Sequence, residues 1–485
     1  MNIANSSNTS QTQKLDINIF KAYDIRGIVG ENLDEYTSYI IGQAIAKQAD
    51  AQNQKIICVG FDGRISSPRL AKNLINGIIS TGIHVIDIGM VTTPLTYFTT
   101  FNTPKELLEQ GLECKSSIMI TGSHNPPNYN GFKIVIDNKT LYGQDILDLY
   151  NICIDESFNK NHNIINGRVF NYDIFPEYKN NIITTVKLHS KLKVAIDCGN
   201  GVAGNFAPQI LNALGCEVIE LFCEVDGNFP NHHPDPAKIE NLQDLIKCVK
   251  ENDCDIGLAF DGDGDRLGVV TKEGNIIYPD RQLILFSLDV LNRNPNAKIV
   301  FDVKCTANLA PAIKNAGGEP IMYKTGHSII KAYMKEQNCL LGGEMSGHIF
   351  FKERWFGFDD GIYAAARLLE ILSKSENPSQ VLNNLPDSYC TPEIQIDCSN
   401  MNINQFKIVE LFKEYIIENM GKFIDGNINY IDGVRIDYPN GFGLVRASNT
   451  TPTVVMRFEG KTQEFLHNIK NLFNEILNNI IKVNS

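Results

Sequence analysis

Thr121-Gly122-Ser123-His124-Asn125-Pro126-Pro127 follows the apolar run Ser117-Ile118-Met119-Ile120 and leads into Asn130-Gly131-Phe132-Lys133. The run predicts a buried strand, and the loop after a strand is where α/β sheets place their chemistry. Gly122 leaves the Ser123 hydroxyl accessible, and His124 is a possible proton carrier or phosphate donor. Pro126 and Pro127 stiffen the exit and stop the loop from continuing as helix. Composition alone suits an ordinary turn equally well. The partners further along the chain decide between the two.

The first partner is Asp261-Gly262-Asp263-Gly264-Asp265-Arg266, at the end of the predicted strand Asp255–Phe260. Three carboxylates at alternate positions, separated by glycines, make a curled loop whose oxygens can turn inward. Oxygen-only ligands suit a hard cation, Mg²⁺ or Ca²⁺. An EF-hand fails on spacing: the sixth position is Arg266 rather than glycine, and the twelfth is Lys272 rather than glutamate. A solvated acidic turn leaves three mutually repelling carboxylates without a counter-charge. Only three protein ligands are in view, which favours Mg²⁺. Arg266 is placed to hold a phosphate oxygen.

Lys304 and Lys324-Thr325-Gly326-His327 are bases that would each suit an exposed surface if taken singly. In Gly342-Gly343-Glu344-Met345-Ser346-Gly347-His348, the apolar run Cys339-Leu340-Leu341 ends in glycines carrying a carboxylate, a hydroxyl and an imidazole. Sugar hydroxyls need both donors and acceptors, which this set supplies; a glycine-rich turn is the plainer alternative. In Gly443-Leu444-Val445-Arg446-Ala447-Ser448-Asn449-Thr450-Thr451-Pro452, Arg446 offers a planar fork for a phosphate and the hydroxyls and amide add neutral donors. No Walker A or dinucleotide fingerprint is present.

The elements that must position these loops alternate. Tyr36, Ile40, Ala44 and Ile45 mark a helix, Lys55–Phe61 a strand, and Ser67-Pro68 the cap of a helix whose buried face is Leu70, Leu74, Ile75 and Ile78. Lys55, Lys193 and Lys298 each open a basic, apolar, aspartate-ended strand, which suggests three related α/β units. From about Pro386 the character changes to short strands and a terminal helix with Phe465, Ile469, Phe473 and Ile476. The expectation is three α/β domains with mixed sheets over residues 16–168, 169–275 and 276–386. A smaller α+β domain over 387–485 completes a central cleft, and residues 1–15 form a disordered polar extension. A chain of 485 residues carrying a net charge of −12 argues against general nucleic-acid binding. Twelve scattered cysteines fit reduced thiols in a cytoplasmic protein, and no apolar run is long enough to span a membrane.

Tyr23-Asp24-Ile25-Arg26-Gly27, Thr121–Pro126, Asp261–Arg266, Gly343–His348 and Arg446–Thr450 resemble, in order, the signatures of the α-D-phosphohexomutases. The segment Lys352-Glu353-Arg354-Trp355-Phe356-Gly357-Phe358-Asp359-Asp360-Gly361 is similar to that of the bacterial bifunctional phosphomannomutase/phosphoglucomutase branch. The resemblance implies a phosphoserine at Ser123, with Ser123, Asp261, Asp263 and Asp265 holding one Mg²⁺. It implies reversible phosphoryl transfer between C1 and C6 of mannose and glucose phosphates through a hexose 1,6-bisphosphate, with glucose 1,6-bisphosphate as activator. By the same resemblance Arg26, His124, Lys133 and His327 would take the acid/base and charge roles, His124 and Lys133 being the better proton carriers. It also implies that Tyr23, Arg266, Lys304, Gly326, His327, Glu344, Ser346, His348, Arg446, Ser448, Asn449 and Thr450 would form the substrate-binding set, with Glu344 and Ser346 on O3 and O4. The resemblance further implies a monomer acting on small hexose phosphates. Met345 argues against phosphoglucosamine mutase, the nearest rival. A sugar-phosphate-binding protein without turnover is the non-enzymatic alternative.

Overall fold

The computed structural model describes residues 15–155 and 166–484. The extension expected over 1–15 lies outside the described residues except for Leu15. Seven strands form the first sheet: β1 (Ile25–Ile28), β2 (Ile56–Phe61), β3 (His84–Met90), β4 (Ser117–Ile120), β5 (Tyr129–Ile136), β6 (Lys139–Thr140) and β7 (Val169–Asn171). The second holds β8 (Lys193–Asp197), β9 (Glu217–Leu221), β10 (Ile256–Phe260), β11 (Leu267–Thr271) and β12 (Ile276–Ile277). The third holds β13 (Lys298–Asp302), β14 (Glu319–Tyr323), β15 (Leu341–Gly343) and β16 (Ile349–Phe351).

One plan recurs in all three. The basic, apolar, aspartate strands β2, β8 and β13 each lie between two parallel neighbours, and a fourth strand pairs antiparallel with the third. The spatial orders β3-β2-β4-β5, β9-β8-β10-β11 and β14-β13-β15-β16 are therefore equivalent. Parallel neighbours require crossover helices on the sheet faces, so β2, β4, β8, β10 and β13 are apolar nearly throughout and almost wholly buried. The turn from third to fourth strand leaves the carboxyl edge of the sheet without a helix. In the three units that turn carries Ser123, the Asp261–Arg266 loop and the Glu344–His348 loop respectively.

Several expectations shift by a few residues. β7 pairs with β3 and β12 with β11, so two strands join the preceding sheet just past the boundaries expected at 168 and 275. The helix Ser67–Ile79 has Ser66 at its N-cap, and Ser67 instead donates its hydroxyl to Asp62 Oδ1 at 2.6 Å. Of the four apolar positions that mark the helix Glu35–Asp50, Ile40, Ala44 and Ile45 are buried and Tyr36 is 49% exposed.

One apolar core runs through all three units. At its centre lies the helix Gly361–Leu372, whose Arg367 is fully buried and paired with Asp289 and Glu353. Trp355, Phe356 and Phe358 reach from the third unit onto Phe98, Phe101 and Tyr97 of the first. The fourth sheet comprises β17 (Tyr389–Cys390), β18 (Ile394–Asp397), β19 (Asn427–Asn429), β20 (Val434–Tyr438), β21 (Gly441–Ala447) and β22 (Thr453–Gly460), covered by the helices Gln405–Glu418 and Gln463–Asn484. It has its own core and meets the third unit through Val303, Phe442 and Leu444. Arg435 also donates to the carbonyls of Val303 and Cys305 across this junction.

Candidate active site

The serine and acidic loops pack backbone to backbone. Ser123 Oγ lies 3.2 Å from Asp261 Oδ2 and 3.2 Å from His124 Nδ1. Its backbone is left-handed at φ +49°, a conformation that costs a β-carbon-bearing residue roughly 1–2 kcal/mol and must be imposed by its surroundings. Asp261, Asp263 and Asp265 are fully buried and converge closely enough to share one cation. Lys133 Nζ donates to Asp263 Oδ2 at 2.7 Å and Asp265 Oδ2 at 2.5 Å, and Thr93 Oγ1 donates to Asp263 Oδ2 at 2.5 Å. Burial alone would neutralise Lys133, but Asp263 and Asp265 outweigh it and hold the ammonium well above its ordinary range. In this arrangement Lys133 is a fixed positive charge and not the proton carrier expected from the sequence, because its two carboxylate partners hold the proton on it. Burial, then Asp265 and Asp263, push Asp261 well above the usual carboxylate range. Asp263 Oδ1 and Asp265 Oδ1 are buried and without a hydrogen-bond partner. Orphaned carboxylate oxygens within a convergent oxygen-only set fit a hard divalent cation.

A second group faces them. Arg266 Nε donates to His348 Nε2 at 3.0 Å, while His348 Nδ1 lies 3.0 Å from Asp359 Oδ2. An acceptor Nε2 leaves the ring proton on Nδ1, toward Asp359. Asp359 also takes Lys331 Nζ at 2.8 Å and stands 3.7 Å from His327 Nδ1, and the two imidazoles stack with centroids 5.4 Å apart. Burial opposes the charge on Asp359, but Lys331 and His348 keep it well below the usual carboxylate range. Burial and Lys331 push His327 well below its ordinary value, and burial with Arg266 and Arg26 does the same to His124. Both rings are therefore neutral bases at physiological pH. Arg26 pairs with Asp24 at 2.5 Å, its Nη1 3.5 Å from the Gly122 carbonyl.

The remaining loops come from the third and fourth units and meet the first unit at Tyr23. Gly326 N–H donates to Glu344 Oε1 at 2.6 Å. With φ +137°, and with a β-carbon there lying 2.8 Å from the Tyr23 ring, position 326 requires glycine. Burial pushes the Glu344 carboxyl upward. Ser346 sits half-buried at the tip of the same turn. Lys304 Nζ is 2.9 Å from Glu393 Oε2, and Arg446 Nε is 3.0 Å from Asp432 Oδ2. Ser448 Oγ accepts from the Thr450 and Thr451 N–H groups at 3.3 and 3.2 Å. Tyr23 ties three units together: its hydroxyl donates to the Thr325 carbonyl at 3.0 Å and accepts from Asn449 Nδ2 at 2.5 Å.

Four family models match along the chain, the phosphoglucomutase/phosphomannomutase alpha/beta/alpha domains I, II and III at residues 18–159, 176–274 and 278–389, and the C-terminal domain at 405–476. The chain belongs to the phosphoglucomutase/phosphomannomutase family. A phosphomannomutase/phosphoglucomutase of Pseudomonas aeruginosa is 52% identical over 96% of this chain and 96% of its own. A phosphoglucomutase of Neisseria meningitidis is 54% identical over 95% of this chain and 96% of its own. Among solved structures, a phosphoglucomutase/phosphomannomutase family protein of Burkholderia thailandensis superposes with a TM-score of 0.90 at 48% identity. That match covers 96% of this chain and 98% of the other.

In this phosphohexomutase chain, Ser123, the three aspartates and Arg266 are among the expected residues that the fold brings together. Sequence reasoning missed Asp62, Arg64, Thr93, Lys331 and Asp359. Asp359 was visible only as part of the aromatic segment 352–361, whose rings form the joint between the first and third units. Asp62-Gly63-Arg64 marked a strand end and nothing more. Thr93 opens the helix Thr93–Thr99 and Lys331 lies on the helix His327–Gln337, with no local cue to either role.

Proposed function

We propose that this family member interconverts the 1- and 6-phosphates of glucose and mannose through phosphoserine 123 and a hexose 1,6-bisphosphate, with Mg²⁺ as cofactor. The observation that carries the reading is the approach of the Ser123 hydroxyl to a buried carboxylate triad with orphaned oxygens, faced by Lys133 and Arg266. Mg²⁺ held by Asp261, Asp263, Asp265 and the seryl phosphate would supply Lewis-acid neutralisation of the transferring group. Arg266 and Lys133 add fixed positive charge beside that group, the larger part of what phosphoryl transfer demands of a protein.

In the forward half-reaction the free sugar hydroxyl attacks the seryl phosphorus. A new sugar O–P bond forms, the serine O–P bond breaks, and the hydroxyl proton passes to a neutral base. His124 and His327 are the neutral imidazoles near the serine and acidic loops. The 1,6-bisphosphate then turns end over end, and Ser123 takes the other phosphate. Arg446, Ser448, Asn449 and Thr450, with Lys304, hold the phosphate that does not react. Glu344 and Ser346 bind O3 and O4, and a grip on those positions ignores the C2 configuration by which glucose and mannose differ. The names of the Neisseria and Pseudomonas relatives share phosphoglucomutase, and the Pseudomonas name adds phosphomannomutase. We place the enzyme in the cytoplasm as a monomer. All four loops come from one chain, which supports a monomer, and the free thiols support a reducing compartment.

The test is turnover of glucose, mannose and glucosamine 1-phosphates with Mg²⁺, with and without a trace of glucose 1,6-bisphosphate. Comparable rates on the first two, restored by the bisphosphate after dephosphorylation, are expected. Turnover of glucosamine 1-phosphate alone would assign the chain to the rival mutase.

A further inference from the structure

Arg64 is 1% exposed and stands directly behind the serine loop, outside every signature used above. Its Nη2 donates to the carbonyls of Ser123 at 2.8 Å and Asn125 at 2.6 Å. Its Nη1 donates to those of Pro126 at 2.5 Å and Tyr129 at 3.1 Å. Its Nε donates to Asp62 Oδ2 at 3.2 Å, and that oxygen also accepts from Thr121 Oγ1 at 2.8 Å and Gly122 N–H at 3.2 Å. Between Ser123 and Pro126 the one carbonyl not bonded to Arg64, that of His124, accepts from His233 Nε2 of the second unit. A β-carbon at position 122 would lie 2.4 Å from Arg64 Cζ, so Gly122 is needed to let the guanidinium reach the loop. On its other side Arg64 sits 5.1 Å from the centroid of the Phe229 ring, again from the second unit.

We infer that Arg64 is a positioning residue for the phosphoryl-carrying loop, and that its fork sets the strained Ser123 backbone against the metal-binding triad. A carbonyl bonded to Arg64 is one not aimed at the seryl phosphate, so the same fork turns four negative dipole ends away from a dianion. The rigid planar donor set is essential, because the point charge of a lysine cannot satisfy four carbonyls at fixed angles. Phe229 and His233 extend the brace into the second unit, which carries the triad, and so couple the two loops. The inference rests on Ser123 as the phosphoryl carrier.

The test compares the full-length wild type with Arg64→Lys and Ser123→Ala, all with Mg²⁺. Three readouts are taken: kcat and KM for glucose 1-phosphate, the single-turnover rate of Ser123 labelling by radioactive glucose 1,6-bisphosphate, and melting temperature. A merely structural arginine would leave folded R64K with wild-type labelling and kcat. A positioning arginine lowers kcat and labelling together by about 100-fold, the usual effect of misplacing a reacting atom by an ångström. KM stays within about twofold, because the sugar and distal phosphate loops lie elsewhere. If R64K does not fold, Phe229→Leu decides, since it removes only the ring behind the guanidinium. A several-fold loss of kcat at constant KM supports the inference, and wild-type kcat overturns it. Wild-type turnover by S123A would remove the serine assignment itself, whereas an inactive S123A beside a fully active R64K removes only the role given to Arg64.

Discussion

Gly262→Ala tests most directly how the serine and acidic loops meet. A β-carbon at position 262 would lie 2.5 Å from the Ser123 carbonyl oxygen and 3.3 Å from Pro234 Cγ. The first contact is roughly 1 Å shorter than van der Waals contact allows, so the loops must separate by about that amount. The Ser123 carbonyl cannot retreat freely, because Arg64 Nη2 holds it at 2.8 Å. Separation therefore falls on the 3.2 Å approach of Ser123 Oγ to Asp261 Oδ2 and carries it past hydrogen-bond range. A displacement of that size at a reacting centre costs about 100-fold in kcat, or about 2.7 kcal/mol of transition-state stabilisation. The overpacking itself costs about 1–3 kcal/mol of stability and lowers the melting temperature by several degrees. The assay is kcat on glucose 1-phosphate with saturating Mg²⁺ and bisphosphate, beside Gly421→Ala, whose β-carbon meets nothing within 4 Å. A G262A enzyme with kcat within about threefold of wild type, where roughly 100-fold is expected, would refute the argument.

Tyr23→Phe removes one donor and one acceptor that tie the first unit to Thr325 and Asn449, each worth about 1 kcal/mol. KM is expected to rise about 10-fold with a smaller change in kcat, and an unchanged KM would deny Tyr23 its closing role. Chelation should abolish turnover reversibly, and added Mg²⁺ should raise the melting temperature of wild type but not of Asp263→Asn. Asp360 gives a pH test. Burial raises its carboxyl to about 7 although it caps the helix Gly361–Leu372 through the Tyr363 N–H. The folded protein thus holds a proton that the unfolded chain releases near pH 4, and stability falls as pH rises from about 4 to 7. Asp360→Asn keeps a capping oxygen and does not titrate. Its melting temperature should gain on wild type between pH 5 and pH 8, by the equivalent of a few kcal/mol, and parallel profiles would show that Asp360 stays ionised.

The repeat was legible because its cue is local. A basic residue, an apolar run and an aspartate at the strand end mark a central strand buried on both faces, and β2, β8 and β13 occupy that place in every unit. The aspartates turn out to brace functional loops. Asp62 accepts from Thr121 and Gly122, and Asp302 accepts from the Met345 N–H at 3.3 Å and from Thr325 Oγ1 at 3.0 Å. Asp197 takes His232 Nε2 at 3.0 Å, in the segment that carries His233 and Phe229. Nothing local could assign those partners, because each depends on which chain segment the sheet order brings to the strand end.

The same distinction explains which site residues stayed hidden. Ser123, the three aspartates and Glu344 stand in loops whose glycines and prolines announce that the backbone leaves regular structure, and Arg446 lies at the end of β21 just before such a loop. Asp359 and Arg64 instead act at the far end of a tertiary contact. Asp359 gathers Lys331, His348 and His327 from two separate segments, and the aromatic run before it locks those segments to the first unit. Rotating one unit against another would therefore disturb the imidazoles and the serine together, since the rings of Trp355 and Phe356 pack on Phe98 of the helix that begins at Thr93, the residue bonded to Asp263. The chemistry is written in the loops, while its alignment is written in the joints between units.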